Sequence, residues 1–264
     1  MSIPLSTFYY KNKPKDDESG LVKKMEEIIE DFPGAGYRTV DTELRKKGDI
    51  VNEKKIRRIM RENHLTCKRV IKFKGKTTDS SHGLRKYPNL IKGINETRLN
   101  QVIVGDVTQY SVNGKDFFLA TLMDRYNREV IGRAISDANN TDLVLCALND
   151  AIKKRGAMSL NGCIHHTDTD VRYCSERYIQ KLQETKLKIS MCLGNAYENA
   201  HAESLFKTIK YQEINVSAYD DKIDSAIKIF EYIEKYNTRR PHSALGGLSP
   251  VEFRNKINAI KTKK

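Results

Sequence analysis

The 264-residue sequence contains no tryptophan, 6 prolines and 15 glycines. So little glycine and proline argues against a low-complexity or disordered chain. No apolar run approaches the roughly 18 residues that a transmembrane helix needs. Residues 1–10 lack the basic and apolar regions of a secretory signal. We therefore expect a folded cytoplasmic protein that has no membrane-spanning segment.

The five cysteines are too few and wrongly spaced for a disulfide framework or a structural zinc site. Their number is odd, and no two of them are spaced as C-x-x-C. The His165-His166 pair has no second His or Cys pair at ligand spacing, which also argues against zinc. The expectation is reduced, mostly buried thiols at Cys67, Cys146, Cys163, Cys174 and Cys192.

Charge is the strongest compositional signal. The chain has 47 Lys and Arg against 34 Asp and Glu, which gives a net charge of +13. Such an excess indicates a polyanionic partner, either nucleic acid or an anionic membrane. No amphipathic anchor or lipidation motif favours the membrane. Residues 1–90 alone carry a net charge of +8, which predicts a DNA-binding head joined to a more neutral core.

The head, residues 1–67, has the pattern of three short helices. Asn52 is a candidate N-cap for the third, on which Lys54, Arg58 and Arg61 recur at helical spacing and form a basic stripe. Short helices separated by a glycine-containing turn are similar to a helix-turn-helix. A solvated basic face on an ordinary helical subdomain is the alternative. Residues 68–100 are expected to form a basic linker.

From residue 101 the pattern changes to strands. Residues 101–110 alternate, with Val104, Asp106 and Tyr110 on one face. Asn113-Gly114 is a hairpin signal, and residues 117–123 and 130–135 are apolar strands. A helix over residues 141–155, a strand, a helix, a strand and a helix follow in that order. This sequence of elements predicts an α/β core with a mixed sheet flanked by helices. We place the core at residues 101–214 and a C-terminal helical extension at residues 215–264.

Three carboxylates stand out by position. Asp106 lies in an apolar strand, where a charge is costly unless it is paired or binds a metal. Asp168 ends a later strand, and α/β sheets place ligands at such ends. Glu203 falls mid-helix, on a face separate from the expected core positions Ala202, Leu205, Phe206 and Ile209.

Together these acids offer three hard oxygen ligands, which can hold one or two Mg²⁺ ions. Two such ions suit phosphoryl transfer, because they activate a nucleophile and stabilise a leaving oxygen. Asn199, Lys207 and Lys210 share the helical face of Glu203 and are candidate DNA contacts, the two lysines with phosphates. The alternative is that each acid is a surface charge, a cap or half of an ion pair.

Several segments add a family resemblance. They are GYR from residue 36, VNEKKI from residue 51, VGDVTQY from residue 104, HHTD from residue 165, NAYENAHAESLFK from residue 195 and YNTRRPHSAL from residue 236. In this order they resemble the DDE transposases of bacterial insertion sequences, specifically the second-frame protein of two-frame elements. These proteins share the catalytic core of retroviral integrases.

The resemblance implies a ribonuclease H-like core preceded by a small helix-turn-helix-like domain. It implies that Asp106, Asp168 and Glu203 are a catalytic, metal-binding triad that uses Mg²⁺, with Mn²⁺ as a substitute. The implied reaction is metal-dependent cutting at element ends, followed by attack of a 3′-hydroxyl on target DNA. The partners would be double-stranded DNA, further copies of the chain and a first-frame protein, in a bacterial, nucleoid-associated setting.

DNA-contact candidates extend beyond the basic stripe. The resemblance places Arg38 in the DNA-binding head. Arg239 and Arg240 follow a long predicted helix, where phosphate contact and stabilisation of the helix end are both open interpretations.

The chain also departs from the family pattern. Thr169-Asp170 stands where the family usually has Arg-Gly, and Arg172 stands where it usually has Gln. Ile103 replaces a common Trp, and 34 residues separate Asp168 from Glu203, one fewer than usual. Loss of the glycine is expected to constrain the backbone, and Asp170 to add a charge there. These departures leave a second hypothesis, an impaired relic or regulator that only binds element ends. A third is a nuclease of the same fold that cuts without joining.

Overall fold

The computed structural model describes residues 17–66, 82–192 and 200–262. The chain divides into two compact units, one ending at Lys68 and the other beginning at Arg69. Within the described residues, no helix is long and apolar enough to cross a membrane.

The described part of the first unit, residues 17–66, contains three helices around a small apolar core. Its core includes Met25, Ile28, Val40, Leu44 and Ile56, each at most 2% exposed. The predicted N-cap of the third helix is confirmed, because its Asn side chain accepts a hydrogen bond from the Lys54 N–H over 2.8 Å. The helices are α1 (Ser19–Asp31), α2 (Tyr37–Lys46) and α3 (Glu53–Glu62).

The second unit alternates strands and helices after an opening three-stranded meander. Its strands are β1 (Val102–Val112), β2 (Lys115–Asp124), β3 (Val130–Ser136), β4 (Ile164–Thr167) and β5 (Lys188–Met191). Its helices are α4 (Thr141–Arg155), α5 (Ala157–Leu160), α6 (Val171–Cys174), α7 (Glu176–Glu184), α8 (Ala200–Ile209), α9 (Lys222–Thr238) and α10 (Pro250–Thr262). A π-helical turn, Lys210–Ile214, continues α8, and a short 3₁₀ turn, Ser243–Leu245, precedes α10.

The five strands form one mixed sheet in the order β3-β2-β1-β4-β5. The first three pair antiparallel, whereas β4 lies parallel to β1 and β5 lies parallel to β4. The predicted hairpin is confirmed, because Asn113 and Gly114 both have positive φ, 50° and 78°, as this turn class requires. The mixed sheet flanked by helices is therefore as the sequence predicts.

Each face of the sheet is covered by its own set of helices. Ile103 and Val107 point to a core closed by α4, α6 and α7. Val102, Val104 and Tyr110 point to the opposite core, which α8 and α9 close. On the α4 side the contact is very close, because a Cβ added at Gly132 would lie 2.2 Å from the Ala147 carbonyl oxygen. The alternation of β1 thus decides which helix each β1 side chain meets.

Residues 82–100 are the later part of the predicted basic linker. They pack against the rest of the second unit without forming a helix or strand. Ile91 is 4% exposed and belongs to the core beneath α8 and α9. The Leu90 N–H donates to Ser190 Oγ over 2.8 Å, and the Met191 N–H donates to the Pro88 carbonyl over 3.4 Å. This segment therefore runs beside β5, at the sheet edge next to the strand that leads into Asp168.

Candidate active site

Asp106 and Asp168 come from neighbouring parallel strands. The register pairs Val104 of β1 with His166 of β4. Asp106 lies two residues after Val104 within β1, and Asp168 lies two residues after His166, directly beyond the end of β4. Parallel strands lie about 4.8 Å apart and side chains alternate between faces, so both carboxylates start from the same face of the sheet. That face is the one that α8 covers. Both side chains are half-buried.

Glu203 lies in the first turn of α8, the helix that covers this face of the sheet. Ala202, Leu205, Phe206 and Ile209 are buried against β1, as the sequence predicts, so Glu203 and Lys207 are on the exposed side of the helix. Residues 193–199, which precede α8 and include Asn199, lie outside the described residues. Among the residues that the structure describes, which include Asp106, Asp168 and Glu203, no three acidic, histidine or cysteine side chains are grouped closely enough to hold a metal ion together.

The pKa of Asp106 reflects its burial and the charges of the other two acids. Desolvation raises the pKa of Asp106 to about 7, and the charges of Asp168 and, most weakly, Glu203 act in the same direction. The Val107 N–H, which donates to Asp106 Oδ1 over 2.7 Å, and the Arg172 guanidinium act to lower that pKa. Acids perturbed by burial and by one another are typical of functional sites.

This shift predicts an unusual pH dependence for Asp106→Asn. In the folded, metal-free protein Asp106 keeps its proton to about pH 7, whereas an unfolded aspartate loses it near about pH 4. Its contribution to stability is therefore present below pH 4 and is lost as the pH rises through 7. We expect thermal unfolding in a chelator to show that the stability of Asp106→Asn rises relative to the wild type between pH 5 and pH 8. At pH 8 its unfolding free energy should have gained about 1 kcal/mol or more on that of the wild type. The exposed Asp142→Asn is the control, and parallel profiles for wild type and Asp106→Asn would contradict the assignment.

The turn after Asp168 is held by hydrogen bonds on several sides. The Asp170 N–H donates to Asp168 Oδ1 over 3.1 Å, and His82 Nε2 lies 2.8 Å from the Thr169 carbonyl oxygen. Asp170 is the N-cap of α6 and has φ −67° and ψ 146°, which is ordinary extended backbone. The expected backbone constraint from losing a glycine is therefore wrong, because this turn does not need positive φ. The added charge is present, and Arg172 pairs with it at 2.5 Å.

Both units are similar to known protein families. Residues 15–73 match the HTH-like domain family, and residues 96–193 and 187–250 match integrase core domain families. The chain is 35% identical over 262 residues to the InsK protein of insertion element IS150 from Escherichia coli strain K12, covering 96% of this chain and 90% of that relative. It is 30% identical over 246 residues to the transposase of IS904 from Lactococcus lactis, covering 92% and 96%. The chain is an insertion-sequence transposase.

The fold of the transposase is shared with a viral protein. A chain of the simian T-cell lymphotropic virus intasome matches 77% of the transposase and 66% of its own length, with a TM-score of 0.50 and 12% identity. The integrase-type core and the preceding helix-turn-helix-like unit are therefore as the sequence predicts. Membership of this family implies that the transposase transfers phosphoryl groups on DNA and uses a divalent metal.

In the helical unit of the transposase, the basic candidates differ in exposure. Arg38, Lys54 and Arg61 are exposed. Arg58 is half-buried and bonds to Glu18 over 2.6 Å and to Glu62 over 2.8 Å. Its charge is thus engaged within the unit, so Lys54 and Arg61 are the exposed members of the α3 stripe.

In the second unit, Lys207 and Arg239 are exposed, whereas Lys210 and Arg240 are half-buried. Arg240 donates from Nε to Gln212 Oε1 over 3.0 Å, and Gln212 also accepts from the Tyr232 hydroxyl over 2.6 Å. Arg240 therefore ties the end of α9 to the π-helical turn. For Arg240, this geometry corresponds to stabilisation of the helix end, one of the two interpretations that the sequence leaves open.

The sequence singles out the His165-His166 pair beside the carboxylates, but not the partners that hold these two histidines. His165 is fully buried and lies 2.8 Å from the Tyr178 hydroxyl; burial lowers its pKa to about 3, aided by His166. His166 Nδ1 lies 2.9 Å from Ser190 Oγ, so it packs between β4 and β5. His82 and Asn139, which contact the turn after Asp168 and Arg172, gave no sequence signal because neither lies in a motif.

Proposed function

We propose that this transposase cuts DNA at the ends of its element and joins them to target DNA with Asp106, Asp168 and Glu203 as its catalytic carboxylates. One observation carries the proposal. Two strands in parallel register bring Asp106 and Asp168 side by side, on the face that the helix of Glu203 covers. A sheet position of this kind is costly for two acids, since like charges repel in a desolvated setting.

The chemistry of these donors fits a hard divalent cation. Carboxylate oxygens are the ligands that Mg²⁺ and Mn²⁺ prefer, whereas zinc prefers nitrogen and sulfur. We infer that Asp106, Asp168 and Glu203 hold Mg²⁺, with Mn²⁺ as a substitute, and that two ions bind. When bound, such ions lower the pKa of an attacking water or hydroxyl and stabilise charge on the leaving oxygen. No protein side chain needs to become covalently attached to DNA.

Basic side chains near these acids are suited to holding the DNA. Lys207 projects from α8 one turn after Glu203, and we assign it to a phosphate near the cut. We also propose Lys210, Asn199 and Arg239 as DNA contacts, on the sequence arguments given above. Arg38, Lys54 and Arg61 of the helical unit would hold the element end, with Arg58 supporting them through its ion pairs.

The reaction also implies partners. Joining two element ends requires at least two active sites on DNA, so we infer that the transposase works as a homo-multimer. A first-frame protein, present as a partner or as a fusion, is a further proposal drawn from the family resemblance. With chromosomal DNA as its substrate, the transposase would be nucleoid-associated in a bacterial cytoplasm.

The alternative hypothesis, a relic or regulator that only binds DNA, rests on the departures after Asp168. All three carboxylates are present, and the added Asp170 charge is paired with Arg172. These observations support an active enzyme over the relic and over a nuclease that cuts without joining, for which the helical unit would have no use.

The test is an assay with a labelled duplex that carries the terminal inverted repeat flanking this gene. The full chain, fused to any upstream frame product, is incubated with this duplex and a target plasmid in Mg²⁺ or Mn²⁺. We expect cut ends with free 3′-hydroxyls and joined products, both lost in a chelator. End binding with no metal-dependent product, under conditions where a related transposase is active, would favour the relic. Cutting without joining would favour the nuclease.

A further inference from the structure

Two of the three residues that depart from the family pattern after Asp168, namely Asp170 and Arg172, touch each other. Arg172 Nε donates to Asp170 Oδ1 over 2.5 Å, and the Arg172 N–H donates to the same oxygen over 3.0 Å. Their side chains are 6% and 3% exposed. Breaking a buried pair of this kind by removing one member leaves an uncompensated charge. Each side chain therefore depends on the other to compensate its buried charge.

This pair is attached to both the carboxylate site and the helix layer. The Asp170 N–H donates to Asp168 Oδ1 over 3.1 Å, and Arg172 Nη1 donates to Asn139 Oδ1, in the loop before α4. On the other side, the Ser175 hydroxyl donates to the Arg172 carbonyl over 2.8 Å. The orientation of the Asp168 carboxylate is thus linked, through Asp170 and Arg172, to the start of α4.

We propose that Asp170 and Arg172 are a positioning pair that orients Asp168 and keeps the charge facing the metal-binding carboxylates balanced. This inference rests on the proposed function, since it assigns the pair to the same site. Neither residue touches DNA or the reacting atoms in this assignment; both act through Asp168.

Electrostatics support a balancing role. Burial acts to lower the pKa of Arg172, but Asp170, through its hydrogen bond and charge, and Asp168 raise it. The same guanidinium acts against the burial that raises the pKa of Asp106. Arg172 therefore presents positive charge to two proposed metal ligands, and Asp170 offsets that charge. Removing one member of the pair changes the local charge by one unit, in opposite directions for the two residues.

Mn²⁺ binding to the full chain, measured from the electron paramagnetic resonance of the free ion, tests this role. Asp170→Asn leaves the Arg172 charge unbalanced and should weaken binding by about fivefold. Arg172→Gln leaves the Asp170 charge unbalanced and should tighten binding by about fivefold. The double variant Asp170→Asn/Arg172→Gln should bind within about twofold of the wild type, and Arg172→Lys should bind as the wild type does.

Arg155→Gln is the matched control. Arg155 is 9% exposed and pairs with Glu129 at 2.6 Å, at a site without the proposed ligands. It should lower the unfolding temperature while leaving Mn²⁺ affinity unchanged. The Mn²⁺ concentration that gives half-maximal end cleavage should follow the binding order of the Asp170 and Arg172 variants.

A shift in the same direction for both single variants, or shifts no larger than that of Arg155→Gln, would overturn the proposal and leave the pair a purely structural one. Asp168→Asn separates this outcome from failure of the proposed function. If Asp168→Asn binds Mn²⁺ as tightly as the wild type, the metal site itself is wrong, and the positioning role falls with it.

Discussion

Replacing Asp168 by Asn is expected to lower the rate of element-end cleavage by about a thousandfold or more. Asparagine keeps the size of the side chain and can still accept the Asp170 N–H at the turn, so the fold should be retained. It removes the negative charge that a divalent cation needs. Joining of pre-cut ends should fall in parallel, because one site serves both steps. The measurement is single-turnover cleavage and joining of a labelled element end.

The matched control is Asp142→Asn, an equivalent change at an exposed acid that pairs with Arg177 on the surface. It should cut and join within about twofold of the wild type, since exposed ion pairs contribute little. Glu203→Gln should show the same defect as Asp168→Asn, with end binding intact in both. Retention of cleavage by either triad variant would remove that residue from the catalytic set.

Replacing Glu129 by Gln is expected to cost about 3–5 kcal/mol of unfolding free energy. Glu129 has no exposed side-chain surface and accepts from Arg155 Nη2 and Arg254 Nη1, each over 2.6 Å. Asn127 Nδ2 donates to it over 3.0 Å. This carboxylate therefore joins the β2–β3 turn, α4 and α10. Glutamine removes the counter-charge that Arg254 and Arg155 share, and leaves Arg155 only the Asp124 carboxylate at 4.0 Å. Thermal or urea unfolding of the full chain measures the loss.

Glu184→Gln, the same change at a side chain that is 54% exposed and pairs with Lys181 at 3.3 Å, is the control for this effect. It should change stability by less than about 1 kcal/mol. A Glu129→Gln protein with the unfolding midpoint of the control would show that the buried charges are dispensable. At temperatures where the variant stays folded, its Mn²⁺ dependence of cleavage should match that of the wild type.

Local patterns were sufficient to predict most of the second unit. The alternation in β1 assigned Val104 and Tyr110 to one face, and the structure confirms it. The apolar face of α8 was equally readable, because a period of 3.6 separates buried from exposed positions without any knowledge of partners. The predicted helix over residues 141–155 has the bounds that the structure gives to α4.

Contacts between distant residues could not be predicted in this way. The Arg172–Asn139 and Glu129–Arg254 bonds join residues 33 and 125 positions apart, and no sequence pattern links the two partners of either bond. The departures at Asp170 and Arg172 appeared as two separate losses in the sequence. Only the turn that begins α6 brings them together. In that turn Asp170 has the ordinary extended backbone of an N-cap, so the constraint expected from the missing glycine proved wrong.

The most direct test of the carboxylate site is anomalous scattering from crystals of the full chain soaked in Mn²⁺. We predict a Mn²⁺ peak in direct contact with the carboxylates of both Asp106 and Asp168, with Glu203 turned towards it, and no such peak in Asp168→Asn crystals. Mn²⁺ bound only elsewhere, or an unchanged peak in Asp168→Asn crystals, would contradict the assignment of these three acids as the catalytic metal site.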